Sequence, residues 1–438
     1  MTHYLIIGAG SAGISAAETI RRLDAAGEIT QVCAEADGYY SRPGLAYYLA
    51  DEIPEQQLYP FRRGDFQRLQ IRMLHAQAQQ IIPQDHQVLV NDGRRLGYDR
   101  LLIATGASAV MAKLPGAELQ GVVKLDNLEE TRRMLRLARK GRRAVVVGGG
   151  ITALELAEGL RQRGMQVDYL LRGERYWPNV LDEIESRIVE QRLKQAGVRI
   201  HFQTELSEVL GKGGKVVGVR TTSQGYLPCD LVGMAIGVAP RKQIGETAGL
   251  KVDKGILVDD TMLTSVPDIY AAGDVAQVYD ARLGKWIVDS LWEPARAQGR
   301  IAGTNMAGQT ERYIKAVPFN VTRLAGITTT IIGSVGGREG DPDVVGIVRG
   351  DSEGWRQVPD ALAVQSNSEV NRLRLLVGER HLVGGVVMGD QRLSSLVYQL
   401  VAHEIDISSI RQNLFTPGAD IETALASFIP NSGNFGRR

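Results

Sequence analysis

The feature that most constrains the fold is a glycine pattern that directly follows the first apolar run of the chain. Residues 4–7 are apolar and lead into G-x-G-x-x-G, formed by Gly8, Gly10 and Gly13 with Ser11 inside it, and a helical pattern follows. In a strand–turn–helix unit of this kind, the first glycine allows the tight turn. The second lets backbone N–H groups reach a pyrophosphate at the helix N-terminus, and the third lets the helix lie close to its strand. The spacing predicts a dinucleotide-binding unit.

An acidic residue stands where such a unit needs one. The second apolar strand, residues 29–34, ends at Glu35. In dinucleotide sites, a carboxylate about 20 residues beyond the glycines accepts hydrogen bonds from the adenosine ribose hydroxyls. We therefore predict that Glu35 binds a ribose.

The same pattern occurs a second time. Apolar residues 144–147 precede Gly148, Gly150 and Ala153, which occupy the three glycine positions, with Ile151 and Thr152 between them. Alanine is accepted at the third position. Two such motifs imply two dinucleotides, or one bound twice, and a redox enzyme has a use for two different ones.

The second motif differs from the first at the end of its second strand. Leu171 stands where an acid would hold a free ribose 2′-hydroxyl, and Arg172 and Arg175 follow it. Arginines attract a 2′-phosphate, whereas a carboxylate repels it. This favours NADPH, or tolerance of both NADPH and NADH. The alternative is that both arginines are merely exposed loop charges.

Small residues end three further strands and are candidate cofactor contacts. We expect a buried strand over residues 98–103 to bring a bare backbone beside something flat. A second strand, ending at Gly237, is followed by a proline that ends it. A third strand is followed by Asp274, which could accept hydrogen bonds from sugar or ribityl hydroxyls. We expect a helix to follow that aspartate. The residues concerned are Ala104, Thr105, Gly106, Gly237, Gly273 and Asp274.

Two aromatic segments have both a structural and a functional interpretation. Arg42 and Pro43 lie in a tyrosine-rich stretch, which is either a connecting loop or a segment that sets an arginine against an anionic cofactor and tyrosines over a planar one. Spacing alone favours neither. Trp292 opens an alanine- and glycine-rich helix, where it could flank a ring.

Composition excludes several classes of function. The 438 residues include 51 Lys and Arg against 50 Asp and Glu, so no net charge steers the chain to nucleic acid. No apolar run reaches the ~18 residues of a membrane span, and no secretory signal precedes the first strand, which favours a cytoplasmic protein. Cys33 and Cys229 form no C-x-x-C and are expected to be buried apolar residues. The six histidines form no metal-ligand cluster with them.

The C-terminal part has a different pattern from the rest. From about Ala316 the chain reads as short strands rich in glycine and threonine, with a hairpin over residues 371–377 and 382–388 and helices over 393–404 and 421–428. Because it carries no nucleotide motif, we predict a separate α+β domain.

These segments together resemble the FAD-dependent pyridine nucleotide–disulfide oxidoreductase superfamily. The resemblance implies an α/β fold with FAD on the first motif and NAD(P)H on the second. It implies an FAD domain of residues 1–112 and 245–315, an NAD(P)H domain of 113–244, and a C-terminal interface domain of 316–438 through which two copies form a homodimer. It also implies that Asp274 contacts the ribityl and phosphate region of FAD, and that Glu155 and Trp292 lie near the nicotinamide and flavin rings.

The segment around Arg42 indicates the subclass. Members with a single redox cysteine carry it where this chain has Pro43, and Arg-Pro-x-Leu at 42–45 is instead similar to ferredoxin and rubredoxin reductases and to the flavin portion of NAD(P)H–nitrite reductases. Many of these reductases have a lysine that pairs with the glutamate matching Glu155. This chain has Tyr47 there.

The resulting hypothesis is an FAD-dependent NAD(P)H oxidoreductase that reduces an external acceptor, either a ferredoxin- or rubredoxin-type protein or a small molecule, with Glu155, Tyr47 and Trp292 as catalytic candidates. The alternatives are the flavoprotein component of an NAD(P)H–nitrite reductase system, an NAD(P)H oxidase, and a redox-sensing scaffold. Since the chain lacks cysteine ligands for an iron–sulfur cluster, any nitrite chemistry would belong to another polypeptide.

Overall fold

The computed structural model describes residues 1–282, 284–335, 345–351, 371–416 and 421–427. Its helices are α1 (Ser11–Leu23), α2 (Gly44–Leu49), α3 (Arg63–Arg68), α4 (Leu128–Leu137), α5 (Ile151–Gln162), α6 (Glu183–Gln195), α7 (Gln243–Thr247), α8 (Trp292–Met306), α9 (Ser394–Ala402), α10 (Ser408–Leu414) and α11 (Ile421–Ala426). The predicted last helix reached Phe428, which lies outside the described residues.

The strands are β1 (His3–Ile7), β2 (Glu28–Cys33), β3 (Ile71–His75), β4 (Ala78–Ile82), β5 (Gln87–Val90), β6 (Arg95–Gly97), β7 (Arg100–Ile103), β8 (Ala107–Ala109), β9 (Val122–Lys124), β10 (Arg143–Val147), β11 (Gln166–Leu170), β12 (Val198–His201), β13 (Leu206–Lys212), β14 (Lys215–Thr221), β15 (Gly225–Pro228), β16 (Leu231–Met234), β17 (Val238–Pro240), β18 (Ile256–Leu257), β19 (Ile269–Ala271), β20 (Ala276–Asp280), β21 (Lys285–Ile287), β22 (Phe319–Leu324), β23 (Ile327–Gly333), β24 (Val345–Asp351), β25 (Asn371–Val377) and β26 (Leu382–Met388).

These elements form two compact units. The first contains Met1–Gly148, Glu155–Val167 and Leu206–Lys315, and the second contains Gly149–Leu154, Asp168–Glu205 and the chain from Ala316 on. The predicted domain boundaries remain a prediction.

A parallel sheet of order β19-β7-β1-β2-β3 forms the core of the first unit. Its central strands are buried on both faces, which suits their valine, leucine and isoleucine content. Ile7 pairs with Val32 on one side and with Ile103 on the other, and Ile103 pairs with Ala271. The carboxyl ends of four strands therefore meet at one edge, which is where ligands bind in open α/β sheets.

Helices α1 and α8 pack against each other through small residues. A Cβ atom added at Gly299 would clash with the carbonyl oxygen of Ala12, so α8 can approach α1 this closely only because position 299 is glycine. This close approach explains the alanine- and glycine-rich composition of α8.

The first unit contains a second group of parallel strands, and β8 and β17 connect it to the first sheet. Strand β10 pairs in parallel with β16, and β16 with β9. The chain passes between the two sets along β8 and β17, which pair antiparallel, and the N–H of Val110 donates to Gly237 O at 2.9 Å.

The second unit contains a five-stranded antiparallel sheet of order β22-β23-β26-β25-β24. The predicted hairpin is confirmed as β25 and β26, and α9 packs on the sheet. Two arginines of β25 bind the start of α6. Arg372 Nη2 lies 2.7 Å from Asp182 Oδ2 and Arg374 Nε lies 2.9 Å from Glu185 Oε1. Asp182 and Glu185 also cap the helix reciprocally.

One local prediction was wrong. The residues after Asp274 form strand β20 and not a helix. Gly273 and Asp274 form a tight turn that reverses the chain, and the N–H of Ala276 donates to Gly273 O at 2.8 Å. Within the described residues, no helix is both long and apolar enough to cross a membrane.

Candidate nucleotide-binding sites

The first glycine motif forms a closed turn between β1 and α1. Gly8 has φ +115°, and a Cβ atom there would clash with the carbonyl oxygen of Ala104. A Cβ atom at Gly13 would clash with the carbonyl oxygen of Gly8. Both positions therefore require glycine, and they fix α1 against the edge of the sheet.

Gly10 has the opposite environment. Its φ of −82° suits any residue, yet no described atom lies within 4 Å of an added Cβ. Among the described residues no side chain caps α1, and its first turn carries no acidic side chain. The helix, with Ser11 as its first residue, therefore starts beside open space at Gly10 and has no side-chain cap among the described residues. This fits a pyrophosphate group.

Glu35 and Arg42, both predicted as cofactor contacts, form an ion pair. Glu35 also accepts a hydrogen bond of 2.5 Å from the Tyr40 hydroxyl, and Arg42 donates to Asp126 O at 2.6 Å. Tyr40 is 4% exposed, and burial raises the pKa of its phenol. The sequence did not identify Tyr40 as the residue that orients this carboxylate. Nothing in the sequence distinguishes Tyr40 from the neighbouring Tyr39 in the same tyrosine-rich segment.

Asp274 lies at the carboxyl edge of the sheet after β19. The pKa of its carboxyl is raised to about 6, chiefly by burial and also by the nearby Asp289, whereas Arg42 and Arg241 oppose the change. The preceding Gly273 has φ +80°, which suits glycine. Pro43, which precedes α2 at φ −57°, sits in the loop that carries Arg42.

Arg241 is a residue of this site that the sequence did not reveal. Its guanidinium donates to Thr105 O at 3.1 Å and to Ser108 Oγ at 2.6 Å. In return, Thr105 Oγ1 donates to Arg241 O at 3.0 Å, and the Arg241 N–H donates to Gly106 O at 2.9 Å. These contacts hold the segment from Ala104 to Gly106 against the connection between the two parallel sets.

The aromatic candidates are partly exposed. Tyr47 on α2 is 39% exposed and Trp292 at the start of α8 is 44% exposed. The Arg296 guanidinium lies 4.7 Å from the centre of the Trp292 ring. Glu155 is half-buried on α5. Each of these three side chains is therefore only partly covered by the described residues.

The second glycine motif has the local geometry of the first. Gly148 has φ +144°, and no described atom lies within 4 Å of a Cβ atom added at Gly150. Ala153 is fully buried, as the third position requires, whereas Thr152 is exposed and Ile151 is half-buried. Gly237 has φ +120°, and the described atoms leave more than 4 Å around its Cβ position.

The arginines after β11 differ in environment. Arg172 is exposed, whereas Arg175 is half-buried with its Nη2 3.5 Å from Pro178 O and its Nε buried without a hydrogen-bond partner among the described residues. Asp168, on β11, accepts hydrogen bonds of 2.9 and 2.6 Å from Arg199 and one of 2.7 Å from His201. Burial raises the pKa of Asp168, but these partners outweigh it and the net change is downward.

Neither cysteine is a candidate for redox chemistry at these sites. Cys33 and Cys229 are both buried, and neither forms a disulfide. The Cys33 thiol donates to Glu35 O at 3.2 Å, and burial raises its pKa, which keeps it protonated. The prediction of buried cysteines is confirmed. In the described part of the chain, no group of three metal-ligating side chains comes together.

Comparison with known proteins identifies the family. Residues 2–306 match the pyridine nucleotide-disulphide oxidoreductase family. The chain belongs to this family. An NADH oxidase of Methanocaldococcus jannaschii is 30% identical over 331 residues, which make up 73% of each protein. Apoptosis-inducing factor 3 of Mus musculus is 33% identical over 357 residues, 80% of this chain but 57% of the mouse protein.

A solved structure covers nearly the whole chain. The crystal structure of a ferredoxin reductase from Rhodopseudomonas palustris matches with a TM-score of 0.85 and 25% sequence identity, over 97% of this chain and 100% of that chain. The predicted fold, with two Rossmann-type domains and a C-terminal α+β domain, is confirmed. As a member of this family the chain is an FAD-dependent NAD(P)H oxidoreductase.

The geometry fits the two cofactors expected for the family. Open space at Gly10 and at Gly150 leaves room for a pyrophosphate at each helix start. Glu35 and Asp274 supply carboxylates at the same sheet edge as Gly10, and Arg42 supplies a cation. The individual contacts of each residue with a cofactor remain predictions.

Proposed function

We propose that this oxidoreductase passes electrons from NAD(P)H through FAD to a separate electron-carrier protein of the ferredoxin or rubredoxin type. The observation that carries the proposal is the absence of an exposed thiol at the FAD cradle, since both cysteines of the chain are buried. Pro43 precedes α2, and the Cys33 thiol donates to a carbonyl of the sheet edge. The ferredoxin reductase from Rhodopseudomonas palustris, which this chain matches over its full length, supports the choice of acceptor.

Each candidate residue has a proposed task in the FAD site. The N–H groups from Gly10 and Ser11 bind the pyrophosphate, Glu35 accepts the adenosine ribose hydroxyls, and Arg42 offsets the phosphate charge. Asp274 accepts ribityl hydroxyls. The backbone of the segment from Ala104 to Gly106 lies against the flavin.

In the NAD(P)H site, backbone N–H groups of the Gly148–Ala153 turn, with Ile151 and Thr152 at the start of α5, bind the second pyrophosphate. FAD, when bound, accepts a hydride from reduced nicotinamide and releases electrons to one-electron carriers. The protein orients the two rings. We assign Glu155, Tyr47 and Trp292 to this task, and we place Gly237 at the edge of the nucleotide site.

The coenzyme, the location and the assembly complete the proposal. Arg172 and Arg175 favour NADPH, because they supply cations and the buried N–H of Arg175 Nε has no acceptor among the described residues. The domain boundaries 1–112 with 245–315, 113–244 and 316–438 are part of the proposal. A homodimer formed through the C-terminal domain and a cytoplasmic location remain predictions from the sequence.

A second candidate is an NAD(P)H oxidase, because the relative from Methanocaldococcus jannaschii is named an NADH oxidase. A scaffold role and a flavoprotein component of a nitrite reductase system are the remaining alternatives. An anaerobic assay separates them. NADPH and NADH are mixed with the FAD-loaded protein, and flavin bleaching is followed before ferredoxins, rubredoxins, quinones or air are added.

The proposal expects bleaching within seconds, fast reoxidation by at least one iron–sulfur carrier, and slow reoxidation by O₂. Reoxidation by O₂ at the full turnover rate would establish the oxidase instead. If neither coenzyme bleached the flavin within minutes, the scaffold role would replace both.

A further inference from the structure

Arg163 joins two helices of the first unit. It directly follows α5, and its guanidinium reaches the last carbonyl groups of α2, with Nε 2.8 Å from Leu49 O and Nη2 2.9 Å from Tyr48 O. Its Nη1 lies 3.1 Å from Asp51 Oδ1. The final carbonyls of a helix have no partner within the helix, and a guanidinium satisfies them well. Arg163 therefore fixes the C-terminal end of α2.

Gly159 brings the same two helices into direct contact. A Cβ atom at Gly159 would lie 2.8 Å from Cγ of Leu49, and Leu49 is fully buried, so it has no space into which to move. The N–H of Arg163 donates to Gly159 O at 3.1 Å, which continues the helical pattern of α5. Gly159 and Arg163 thus lie one turn apart on one face.

That face also contains Glu155, because residues four apart lie on the same side of a helix. Glu155, Gly159 and Arg163 form a stripe whose last two members contact α2. Helix α2 carries Tyr47 and has only six residues, so it depends on its neighbours for stability. The contacts at Gly159 and Arg163 consequently set the position of the helix that carries Tyr47 relative to the helix that carries Glu155.

A second anchor holds the other side of α2. The Tyr48 hydroxyl donates to Glu55 Oε2 at 2.8 Å, and Arg132 binds Glu55 and Asp37 with four hydrogen bonds of 2.6 to 3.2 Å. Tyr47, by contrast, is 39% exposed. The two anchors together fix the position of α2.

We propose that Arg163 is a positioning residue for hydride transfer, which keeps α2 and α5 at the spacing that places Tyr47 and Glu155 beside the cofactor rings. The inference rests on the proposed roles of Tyr47 and Glu155. Arg163 acts in this proposal through α2, whose last carbonyl groups its guanidinium binds. Because small displacements of reacting groups cost large factors in rate, loss of this contact should slow flavin reduction.

The test compares Arg163→Met with Arg163→Lys in the FAD-loaded enzyme. Anaerobic stopped-flow absorbance gives the rate constant of flavin reduction by NADPH and its dependence on coenzyme concentration. We expect Arg163→Met to lower the limiting rate constant about 10–100-fold, with full FAD content and an apparent coenzyme affinity within about threefold of wild type. Arg163→Lys should recover part of the rate, since an ammonium group can still bind a carbonyl.

Arg161→Met is the matched control. Arg161 lies two residues earlier on α5, on a different face of the helix from Arg163, and donates to Met165 O at 3.4 Å. We expect it to reduce its flavin at the wild-type rate. Reoxidation of the reduced flavin by ferricyanide, which does not use the nicotinamide, should be unchanged in all three variants.

Arg163→Met with full FAD and a wild-type rate of reduction would overturn the proposal, as would equal slowing of reduction and of ferricyanide reoxidation. If this variant does not fold, Gly159→Ala separates the helices while keeping Arg163, and the same loss of rate is expected of it. The variants Tyr47→Phe and Glu155→Gln distinguish failure of the proposed roles of Tyr47 and Glu155 from failure of the positioning role of Arg163. Normal reduction in both, with slow Arg163→Met, would refute the roles of Tyr47 and Glu155 but support the dependence of hydride transfer on the spacing of α2 and α5.

Discussion

The backbone N–H of Gly273 donates to Oε1 of Gln298 at 2.9 Å, and Gln298 is fully buried. This hydrogen bond joins the turn that carries Asp274 to helix α8. The turn therefore depends on a side chain 25 residues away for one of its backbone hydrogen bonds.

Gln298→Leu removes this partner and leaves a buried N–H group unsatisfied, which costs about 1–3 kcal/mol. We expect a lower free energy of unfolding by that amount and faster loss of FAD on dilution. Denaturant unfolding and the visible absorbance of the bound flavin measure the two effects. The exposed Gln309 serves as the control, since Gln309→Leu should change neither. Unchanged FAD retention in Gln298→Leu would show that the turn does not need the bond.

Substitutions of the second and third glycines of the first motif, Gly10 and Gly13, should have different effects. Gly13→Ala places a Cβ atom against the carbonyl oxygen of Gly8, so we expect it to destabilise the apoprotein by about 1–3 kcal/mol. Gly10→Ala meets open space and a permitted φ, so apoprotein stability should stay within about 0.5 kcal/mol.

FAD titration completes this comparison. Gly10→Ala should weaken FAD binding by about tenfold or more, because its methyl group fills the space left for the pyrophosphate. If FAD bound equally well to wild type and Gly10→Ala, the pyrophosphate would not lie at this helix start.

The sequence predicted the elements whose signal is local. The two glycine motifs, the acid at Glu35 and the hairpin over 371–377 and 382–388 each depend on a short pattern, and the structure contains all of these elements. It did not predict Arg241 or Arg163. Each binds backbone carbonyls more than 100 residues away in the chain. No single-sequence pattern marks a side chain whose partner is a distant backbone carbonyl.

The strand after Asp274 was missed for a related reason. A turn at Gly273 is compatible with either a helix or a strand afterwards, and β20 forms only because β18 and β21 are there to pair with it. Pairing between segments that are distant in the sequence therefore determines that residues 276–280 form a strand and not a helix.

Asp274 should make the stability of the apoprotein depend on pH. Its pKa rises from 3.8 in the unfolded chain to about 6, so the folded protein prefers the protonated carboxyl. The resulting stabilisation is complete below about pH 4 and is lost as pH rises through about 6. The variant Asp274→Asn lacks this titrating carboxyl, so this pH dependence disappears. Above pH 6 its free energy of unfolding should therefore be higher than that of wild type, by about 3 kcal/mol at most.

Denaturant unfolding of both apoproteins from pH 4 to 8 measures this difference. Asp85→Asn, at an exposed carboxyl, controls for a general loss of negative charge. A difference that stayed constant across this range would contradict a raised pKa at Asp274.

The cysteines should be dispensable for turnover. Both are buried, and burial raises the pKa of the Cys33 thiol. We expect the double variant Cys33→Ala, Cys229→Ala to keep kcat within about twofold of wild type, and iodoacetamide to leave the native enzyme active. Turnover with NADPH and a ferredoxin measures both. A tenfold loss of kcat with full FAD content would indicate a sulfur relay and return the chain to the disulfide-reducing members of the family.

Coenzyme preference tests the interpretation of Arg172 and Arg175. Arg172 is exposed after β11, and Arg175 has a buried Nε without a partner among the described residues, so both can donate to a 2′-phosphate. A hydrogen bond between charged groups contributes about 1.5–3 kcal/mol, and a carboxylate at position 172 adds repulsion. Arg172→Glu should therefore lower kcat/KM for NADPH about 10–100-fold and leave kcat/KM for NADH within about threefold. Arg220→Glu, at an exposed arginine of β14, should affect neither coenzyme. An unchanged ratio of the two kcat/KM values in Arg172→Glu would show that Arg172 is only a surface charge.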